Sequence, residues 1–338
     1  MKLGISVVNN DKYKKYVAAC EHYDIDYVLI NFMGDNWMNE VISANIDGML
    51  LYPLVNTQYN KDGFDERVYF LEKLLKIPTY PSFNELYIYE NKTTMAFWLM
   101  ANNIPHAETH LFFNKEEAKK FVDSAKYPLV FKTKIGSAGV GVKFIKNKRQ
   151  AKRLIRKMFP LRKKYFVPMI NTGFTRVLRS KRNPLKIAPL INDKQFGFVM
   201  FQEKIQDIKW EWRLIKIGDS YFGHQKLEYK GKHSGSSRVG WAKPPEVLLN
   251  LIKNICEIGE FNSMNVDVFE TKDGKFYVNE LQTIFGSFDN SQMYIDGKPG
   301  RYRYINNEWV FEEGYFNQNG SMNLRVEDFI RILKEAKK

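Results

Sequence analysis

The chain has 338 residues, of which 44% are hydrophobic and 15% aromatic; this composition predicts a globular protein of two or three domains and excludes a disordered chain. No apolar run approaches the roughly 18 residues that a membrane-spanning helix needs. The net charge is +14, and the fifteen lysines and arginines between Lys146 and Lys186, a segment without acidic residues, account for all of it. This segment is expected to attract an anion: a phosphate, an acidic sugar, nucleic acid or a membrane surface.

The first 80 residues alternate short apolar runs with amphipathic stretches, as in the strands and helices of a parallel α/β sheet. Strands are predicted at 3–8, 26–30 and 48–52, and helices at 11–22 and 68–75. Because Tyr80-Pro81-Ser82 then breaks the pattern, residues 1–80 are predicted to form an N-terminal α/β domain.

Neither the first residues nor the cysteines indicate secretion. Residues 1–8 are too short and soon too polar for a signal peptide, and a first strand explains them better. Cys20 and Cys256 fit no metal or redox spacing, which is typical of free thiols in a reducing compartment. We therefore expect a cytoplasmic protein.

Residues 81–200 are predicted to form a second part of the molecule. It begins with a helix at 90–102, and Asn114 is expected to cap the next helix. Strands at 128–132 and 141–145 are predicted to form a hairpin. The basic stretch 146–187 is interpreted as an insertion in this part, with a helix at 150–158 and an irregular, proline-containing remainder.

Residues 201–338 are predicted to form a third part in which hairpins dominate. A strand at 196–202 leads into it. One hairpin turns at Gly218-Asp219 and a later one at Asp273-Gly274. The predicted strands are 210–217, 221–227, 265–270 and 275–281, and the predicted helices are 244–261 and 327–336.

A glycine-rich loop follows the strand that ends at Lys132. Backbone N–H groups of such a loop can approach an anion closely, and a lysine before it can neutralise phosphate charge. The loop lacks the order of a P-loop, and it is not a dinucleotide fingerprint because no helix follows. A hairpin tip without a ligand remains the alternative. The loop residues of interest are Gly136, Ser137, Gly139 and Gly141.

Two carboxylates and an amide are placed to meet on the last predicted hairpin. Asp267 lies on one arm and Glu280 on the other, and Gln282 points to the same side as Glu280 because side chains alternate along a strand. Such oxygen ligands suit a Mg²⁺ ion that bridges phosphates. The alternative is a solvated face of an edge hairpin.

Taken in chain order, these features resemble the ATP-grasp superfamily from about Tyr80 to Gly286. Asn91-Lys92 and the later Asn103-Ile104-Pro105 are similar to the lysine helix and the turn of that family, and Lys132 with its loop is similar to the glycine element. The hairpin of Asp267 and Glu280 resembles the metal hairpin. Similarity is greatest to the carboxylate–amine ligases, such as glutathione synthetase, D-alanine–D-alanine ligase and the ribosomal-protein glutamate ligases.

The resemblance implies an α+β fold in which a parallel α/β domain precedes two α+β subdomains that grip ATP. It implies that lysines contact the ATP phosphates, that the strand end at Gln202-Glu203-Lys204-Ile205 holds adenine, and that Glu211 reaches the ribose. The implied ATP-binding set is Lys92, Lys132, Gly136, Ser137, Gly139, Gly141, Gln202, Glu203, Ile205 and Glu211.

The resemblance also implies catalytic and metal-binding residues. Arg213 and Arg238 are expected to stabilise the transferred phosphoryl group, with Lys226 as a further catalytic residue at the start of the acceptor region. Mg²⁺ is expected on Asp267, Glu280 and Gln282. This chain departs from the family pattern in having Gln282 in place of the usual asparagine, Thr133 in place of a proline, and a longer gap from Lys132 to Glu203.

The implied activity is an ATP-dependent ligation of a carboxylate to an amine through an acyl phosphate. The basic segment suggests a large acidic substrate. The stretches 241–245 and 278–286 also resemble ATP-grasp proteins of bacterial surface-polysaccharide synthesis, which suggests an acidic sugar as that substrate. The alternatives are a non-catalytic nucleotide- or anion-binding protein and a kinase acting on an alcohol. Nucleic acid is a weaker candidate partner, and a homodimer is an open alternative.

Overall fold

The computed structural model describes residues 1–8, 11–55, 57–136, 141–159, 196–227, 238–285 and 289–338. Within these ranges the strands lie in a parallel sheet near the N-terminus, a small antiparallel sheet and a larger antiparallel sheet. None of the helices in these ranges is long and apolar enough to cross a bilayer.

The first sheet is parallel throughout, with the strand order β2-β1-β3-β4. Its apolar strands are covered by helices on both faces, as parallel sheets require. The elements are β1 (Lys2–Ser6), α1 (Lys14–His22), β2 (Asp26–Ile30), α2 (Trp37–Ala44), β3 (Gly48–Leu50), α3 (Gln58–Tyr69) and β4 (Thr79–Tyr80). The predicted strands are confirmed here. The predicted helix at 68–75 is instead the end of α3 and a π-helical turn, Phe70–Leu74, and α2 was not predicted.

Two capped helices connect the first sheet to the second. Ser82 and Glu85 form a reciprocal capping box at α4 (Phe83–Ile88), and the Asn91 side chain accepts a hydrogen bond from the Thr94 amide at α5 (Lys92–Ala101). The cap at Asn91 places Lys92 at the first position of its helix.

The second sheet is antiparallel, with the order β5-β8-β6-β7. The predicted hairpin of 128–132 and 141–145 is confirmed, as is the cap by Asn114, whose side chain accepts from the Glu116 and Glu117 amides. Helices α6 and α7 cover one face of the sheet through a shared apolar cluster. The elements are β5 (Thr109–Phe112), α6 (Lys115–Ser124), β6 (Leu129–Lys132), β7 (Val142–Ile145), α7 (Lys148–Met158) and β8 (Val199–Glu203).

The third sheet has the order β13-β12-β9-β10-β15-β14, and both hairpins predicted for it are confirmed. The apolar face packs on α8 in the largest core cluster. The last helix, α9, packs against α1 and the first sheet through Met322, Val326 and Phe329. The elements are β9 (Ile208–Ile217), β10 (Ser220–Lys226), β11 (Val239–Gly240), α8 (Glu246–Gly259), β12 (Ser263–Thr271), β13 (Phe276–Gln282), β14 (Tyr294–Ile295), β15 (Lys298–Ile305), β16 (Glu308–Glu313) and α9 (Met322–Glu335).

Candidate active site

One face of the third sheet carries a row of charged side chains, while the opposite face is core. Cross-strand pairing sets Glu211 opposite Lys226 and sets Asp267 opposite both Arg213 and Glu280. Residues directly opposite in an antiparallel pair point to the same face. The alternate positions, such as Trp212 and Val266, point the other way into the core. Period-two alternation therefore collects the charges on a single surface.

A buried ion cluster lies at the centre of this surface. Arg213 Nε lies 3.1 Å from Asp267 Oδ1, and Lys226 Nζ lies 2.8 Å from Asp267 Oδ2 and 2.5 Å from Glu211 Oε1. The Asp267 and Glu211 side chains are each 1% exposed. Burial by itself raises the pKa of Asp267, but Arg213 and Lys226 outweigh burial and hold this pKa well below its usual value. Asp267 is thus ionised, and both acids are paired with Lys226.

The two lysines that were predicted to contact phosphate reach the same surface from other elements. Lys92 Nζ donates to the Gly136 carbonyl oxygen and lies 3.5 Å from Glu280 Oε1. Lys132, at the end of β6, donates to Asn279 Oδ1 at 3.1 Å. Burial lowers the pKa of Lys132 to about 8, and Glu280 opposes this shift. Two cations and one carboxylate therefore meet between the second and third sheets.

Both described ends of the glycine loop have backbone angles that favour glycine. Gly136 has φ +148° and Gly141 has φ +82°. The Thr133 amide donates to the Gly141 carbonyl at 3.1 Å, which closes the hairpin, and the Lys92 amide donates to the Lys134 carbonyl at 2.9 Å. The predicted contacts at Ser137 and Gly139 lie outside the described residues.

The three predicted metal ligands lie together on the hairpin of β12 and β13. Asp267 and Glu280 face each other, and Gln282 faces Asn265, whose Nδ2 donates to Gln282 Oε1 at 3.3 Å and to Asp267 Oδ1 at 3.2 Å. The Asn265 Oδ1 is buried and has no hydrogen-bond partner among the described residues. The side-chain oxygens of the three predicted ligands, together with the unpaired oxygen of Asn265, fit a hard cation such as Mg²⁺. Because Arg213 and Lys226 already pair with the two carboxylate oxygens of Asp267, a metal ion at this position must compete with them for those oxygens.

A cleft of about 690 Å³ opens where β8 leaves the second sheet. Glu203, Lys204 and Ile205 line one side of it, and His106 and Tyr277 line other parts. The strand end is held in place from within the sheet, since the Glu203 amide donates to the Glu108 carbonyl at 2.8 Å. Gln202 does not line the cleft, and its Nε2 donates to Thr109 Oγ1 at 2.8 Å.

The remaining predicted residues have different surroundings. Arg238 is exposed, and its carbonyl accepts from the Leu227 amide at 3.0 Å. Most of the predicted acceptor loop, residues 228–237, lies outside the described residues. His224 is buried and bonds through Nδ1 to the Gln292 carbonyl at 2.8 Å, and burial lowers the pKa of this imidazole to about 4.

Comparison with known proteins relates this geometry to a known fold. Residues 89–168 match the RimK-like ATP-grasp domain family, and curated protein sequences include no match. The structure of a RimK domain ATP-grasp protein from Sphaerobacter thermophilus is 15% identical over 83% of this chain and 90% of that one, with a TM-score of 0.52. D-alanine–D-alanine ligase from Bacillus anthracis is 15% identical over 99% of each chain, with a TM-score of 0.55. The purK N5-carboxyaminoimidazole ribonucleotide synthetase, solved with ADP, is 12% identical over 97% and 76%, with a TM-score of 0.60.

The chain has the ATP-grasp fold. The α+β ATP-grasp fold expected from the sequence is confirmed, and so is the arrangement of a parallel sheet followed by antiparallel sheets. The boundaries at residues 80 and 200 remain a prediction.

Two residues of the candidate site were missed when roles were assigned from the sequence. Asn265 lies two positions before Asp267, so strand alternation alone places it on the same face. Asn279 also escaped notice, because the register of β12 and β13 shifts between Asp267 and Val268 and simple alternation fails there. The position of Asn265 was predictable from strand spacing, whereas the position of Asn279 could be predicted only with knowledge of the β-bulge.

Proposed function

We propose that the protein is a ligase that uses ATP to activate a carboxylate and join it to an amine, with release of ADP and phosphate. The observation that carries the proposal is the convergence of Lys92, Lys132, Arg213 and Lys226 on the hairpin that carries Asp267 and Glu280. Four cations around a carboxylate hairpin match the needs of a reaction in which negative charge moves from a triphosphate to a carboxylate.

ATP is proposed to lie between the second and third sheets. Its adenine is assigned to the cleft beside Glu203 and Ile205, with Gln202 supporting the strand end. Its phosphates are assigned to Lys92, Lys132 and the glycine loop. Glu211 was expected at the ribose, but its burial against Lys226 favours a positioning role instead.

Magnesium is proposed to bind at Glu280, Asp267 and Gln282, where it would neutralise phosphate charge. Glu280 is the most accessible of the two carboxylates, with 19% of its side chain exposed against 1% for Asp267. When ATP enters, its phosphates can take over Arg213 and Lys226, which frees lone pairs of Asp267. Asp267 would then hold the metal ion in place of these two side chains, so that the buried site would gain no unpaired charge.

The proposed chemistry has two transfers. A carboxylate oxygen of the substrate forms a bond to the γ-phosphorus while the bond from that phosphorus to the β–γ bridging oxygen breaks, which gives an acyl phosphate and ADP. The amine then bonds to the acyl carbon, phosphate leaves with the bonding electron pair, and the amine loses a proton to solvent or phosphate. Arg213 and Lys226 hold the charge that develops on the transferred group, and Arg238 is proposed to join them.

For the substrate, we propose an acidic sugar of a surface polysaccharide that receives an amino acid or amine. The support is the basic helix α7, which exposes Arg149, Arg153, Arg156 and Lys157 on one side and buries Ala151 and Ile155 on the other. A cytoplasmic location and a homodimer complete the proposal. Nucleic acid is disfavoured, and steep salt dependence of binding would be its signature.

Phosphorus NMR of Mg-ATP with the purified protein tests the activity. We expect ADP and phosphate only when a carboxylate pool, including uronic acids, and an amino-acid pool are both present. ADP with a new phosphoester would establish a kinase instead, and AMP with pyrophosphate would contradict the acyl phosphate. Unchanged ATP with every pool, together with measurable ATP binding, would favour the non-catalytic alternative.

A matched pair of variants ties the reaction to this surface. Lys92→Met removes a cation beside Glu280, whereas Lys253→Met removes a cation whose partner, Glu257, lies one turn away on α8. We expect the first to lower ADP formation at least 100-fold and the second to leave it unchanged. Equal activity of the two variants would remove Lys92 from the site.

A further inference from the structure

Arg325 is a buried arginine without a counter-ion in the described part of the chain. The residue is 1% exposed, and its Nε and Nη1 are buried without a hydrogen-bond partner among the described residues. No carboxylate in those ranges lies within ion-pair distance of its guanidinium. A buried charge without a partner is costly, because its hydration is lost and nothing replaces it. A position of this kind is explained if an anion completes it.

The groups beside Arg325 are donors and an aromatic ring. Its guanidinium carbon lies 5.0 Å from the centre of the Phe285 ring. Tyr16 is fully buried, and its hydroxyl also lacks a partner among the described residues. Burial raises the pKa of Tyr16 to about 12, and nearby Arg325 opposes this shift. A guanidinium only donates hydrogen bonds, whereas a phenol hydroxyl donates one and can also accept, so a ligand that bridges both side chains through their N–H and O–H groups must offer acceptor atoms.

Two buried acids of this region, Glu85 and Asp328, are already paired with other groups. Glu85 accepts hydrogen bonds from the Ser82 and Ser263 amides, each at 2.6 Å. Asp328 accepts from Tyr80 at 3.0 Å and pairs with Arg331 at 2.6 Å. Neither acid therefore serves as the counter-ion of Arg325, although both influence the same buried region.

The fold brings this position next to the candidate active site. Phe285 follows three residues after Gln282, at the end of the hairpin that carries Glu280. Arg325 lies in the first turn of α9, which begins after a run of left-handed residues at Asn319, Gly320 and Ser321. α9 packs on the first sheet, so Arg325 stands at the junction of that sheet with the hairpin.

We propose that Arg325 and Tyr16, backed by Phe285, bind an oxyanion of the substrate, a carboxylate or a phosphate, that is separate from the reacting carboxylate. This assignment rests on the proposed ligase function, because it concerns the substrate of the same site. It means that the substrate carries at least one acidic group in addition to the reacting carboxylate. Arg325 would then select substrates by charge and would also fix their orientation.

Thermal unfolding of the full chain tests the site without ATP or turnover. The probes are glutarate and inorganic phosphate, each compared with sodium chloride at the same ionic strength. The variants are Arg325→Met, Tyr16→Phe and, as the matched control, Lys334→Met, which removes an exposed cation from the same helix. Because ligand binding to the folded state raises Tm, we expect glutarate or phosphate to raise the Tm of the unmodified protein by about 3 °C more than that of Arg325→Met.

The outcomes of these measurements test the proposed anion site as follows. In chloride, Arg325→Met should unfold at or above the Tm of the unmodified protein, and Tyr16→Phe should be as stable but respond less to the anion. Glutarate acting more strongly than phosphate would assign a carboxylate, and the reverse would assign a phosphate. A large loss of Tm or failure to fold in Arg325→Met would show a structural arginine, and equal anion responses in all variants would overturn the site. A protein that binds anions here yet forms no ADP would retain the site and lose the ligase proposal.

Discussion

Lys226 and Asp267 belong to strands that do not pair, yet their side chains meet. β9 lies between β10 and β12, and Lys226 Nζ reaches across it to Asp267 Oδ2 at 2.8 Å and also binds Glu211, which lies on β9 itself. One ammonium therefore joins two buried carboxylates on neighbouring strands. Its removal takes a neutralising charge away from both acids.

We expect Lys226→Met to lower the free energy of unfolding by about 3–5 kcal/mol, because Glu211 loses its buried partner. The double variant Lys226→Met/Glu211→Gln should recover at least about half of that loss, since no unpaired charge remains at Glu211. Urea unfolding measures both quantities. Lys253→Met, which breaks a partly exposed pair with Glu257, should cost less than about 1 kcal/mol. A similar cost for all three variants would contradict the cluster.

The affinity for ATP should fall as pH rises, and Lys132 should be responsible. Its pKa of about 8, lowered by burial, means that the free protein loses the ammonium between pH 7 and 9. If only the ammonium binds phosphate, the Kd for ATP at pH 9 should be up to about tenfold higher than the limiting low-pH value. Calorimetric titration at several pH values measures this. Lys132→Arg stays charged and should abolish the dependence, and a dependence that persists in this variant would exclude Lys132 as its source.

Gly141 should tolerate a side chain less well than Gly274. Both have φ near +80°, so alanine is strained at either position. A Cβ at Gly141 would overlap Thr133 Oγ1, whereas a Cβ at Gly274 meets open space. We expect Gly274→Ala to cost about 1 kcal/mol and Gly141→Ala to cost more and also to weaken ATP binding. Urea unfolding and ATP titration compare the pair, and equal effects would mean that the loop relaxes freely.

Stability should decline in mild acid because of His224. Its folded pKa of about 4 lies below the usual value near 6.5, so the unfolded chain binds the extra proton first as pH falls. The contribution is complete above pH 6.5 and is lost as pH drops toward 4, with a maximum of about 3 kcal/mol. Urea unfolding between pH 7 and 4.5 measures the slope. His224→Gln should flatten the slope, and an unchanged slope in that variant would assign the effect to other groups.

Much of the site was accessible from the sequence because strands repeat every two residues and turns carry recognisable residues. Spacing placed Glu280 and Gln282 on one face, the turn at Asp273-Gly274 brought Asp267 opposite Glu280, and the glycine loop marked Lys132. The same local logic predicted the cap at Asn114 and the parallel sheet. Local chemistry determines these features, so no long-range information was needed.

The pairing of charges and the position of Arg325 were decided only by the tertiary structure. The reach of Lys226 over β9 depends on strand order, Asn279 depends on a bulge, and α9 returns from the end of the chain to pack on the first sheet. Burial decides which of the many charged residues matter, and burial is set by the packing of elements far apart in sequence. From the sequence alone, Arg325 would be expected at the surface, as most arginines are. Only the packed fold removes solvent from its side chain, and a buried guanidinium is stabilised by a partner of opposite charge.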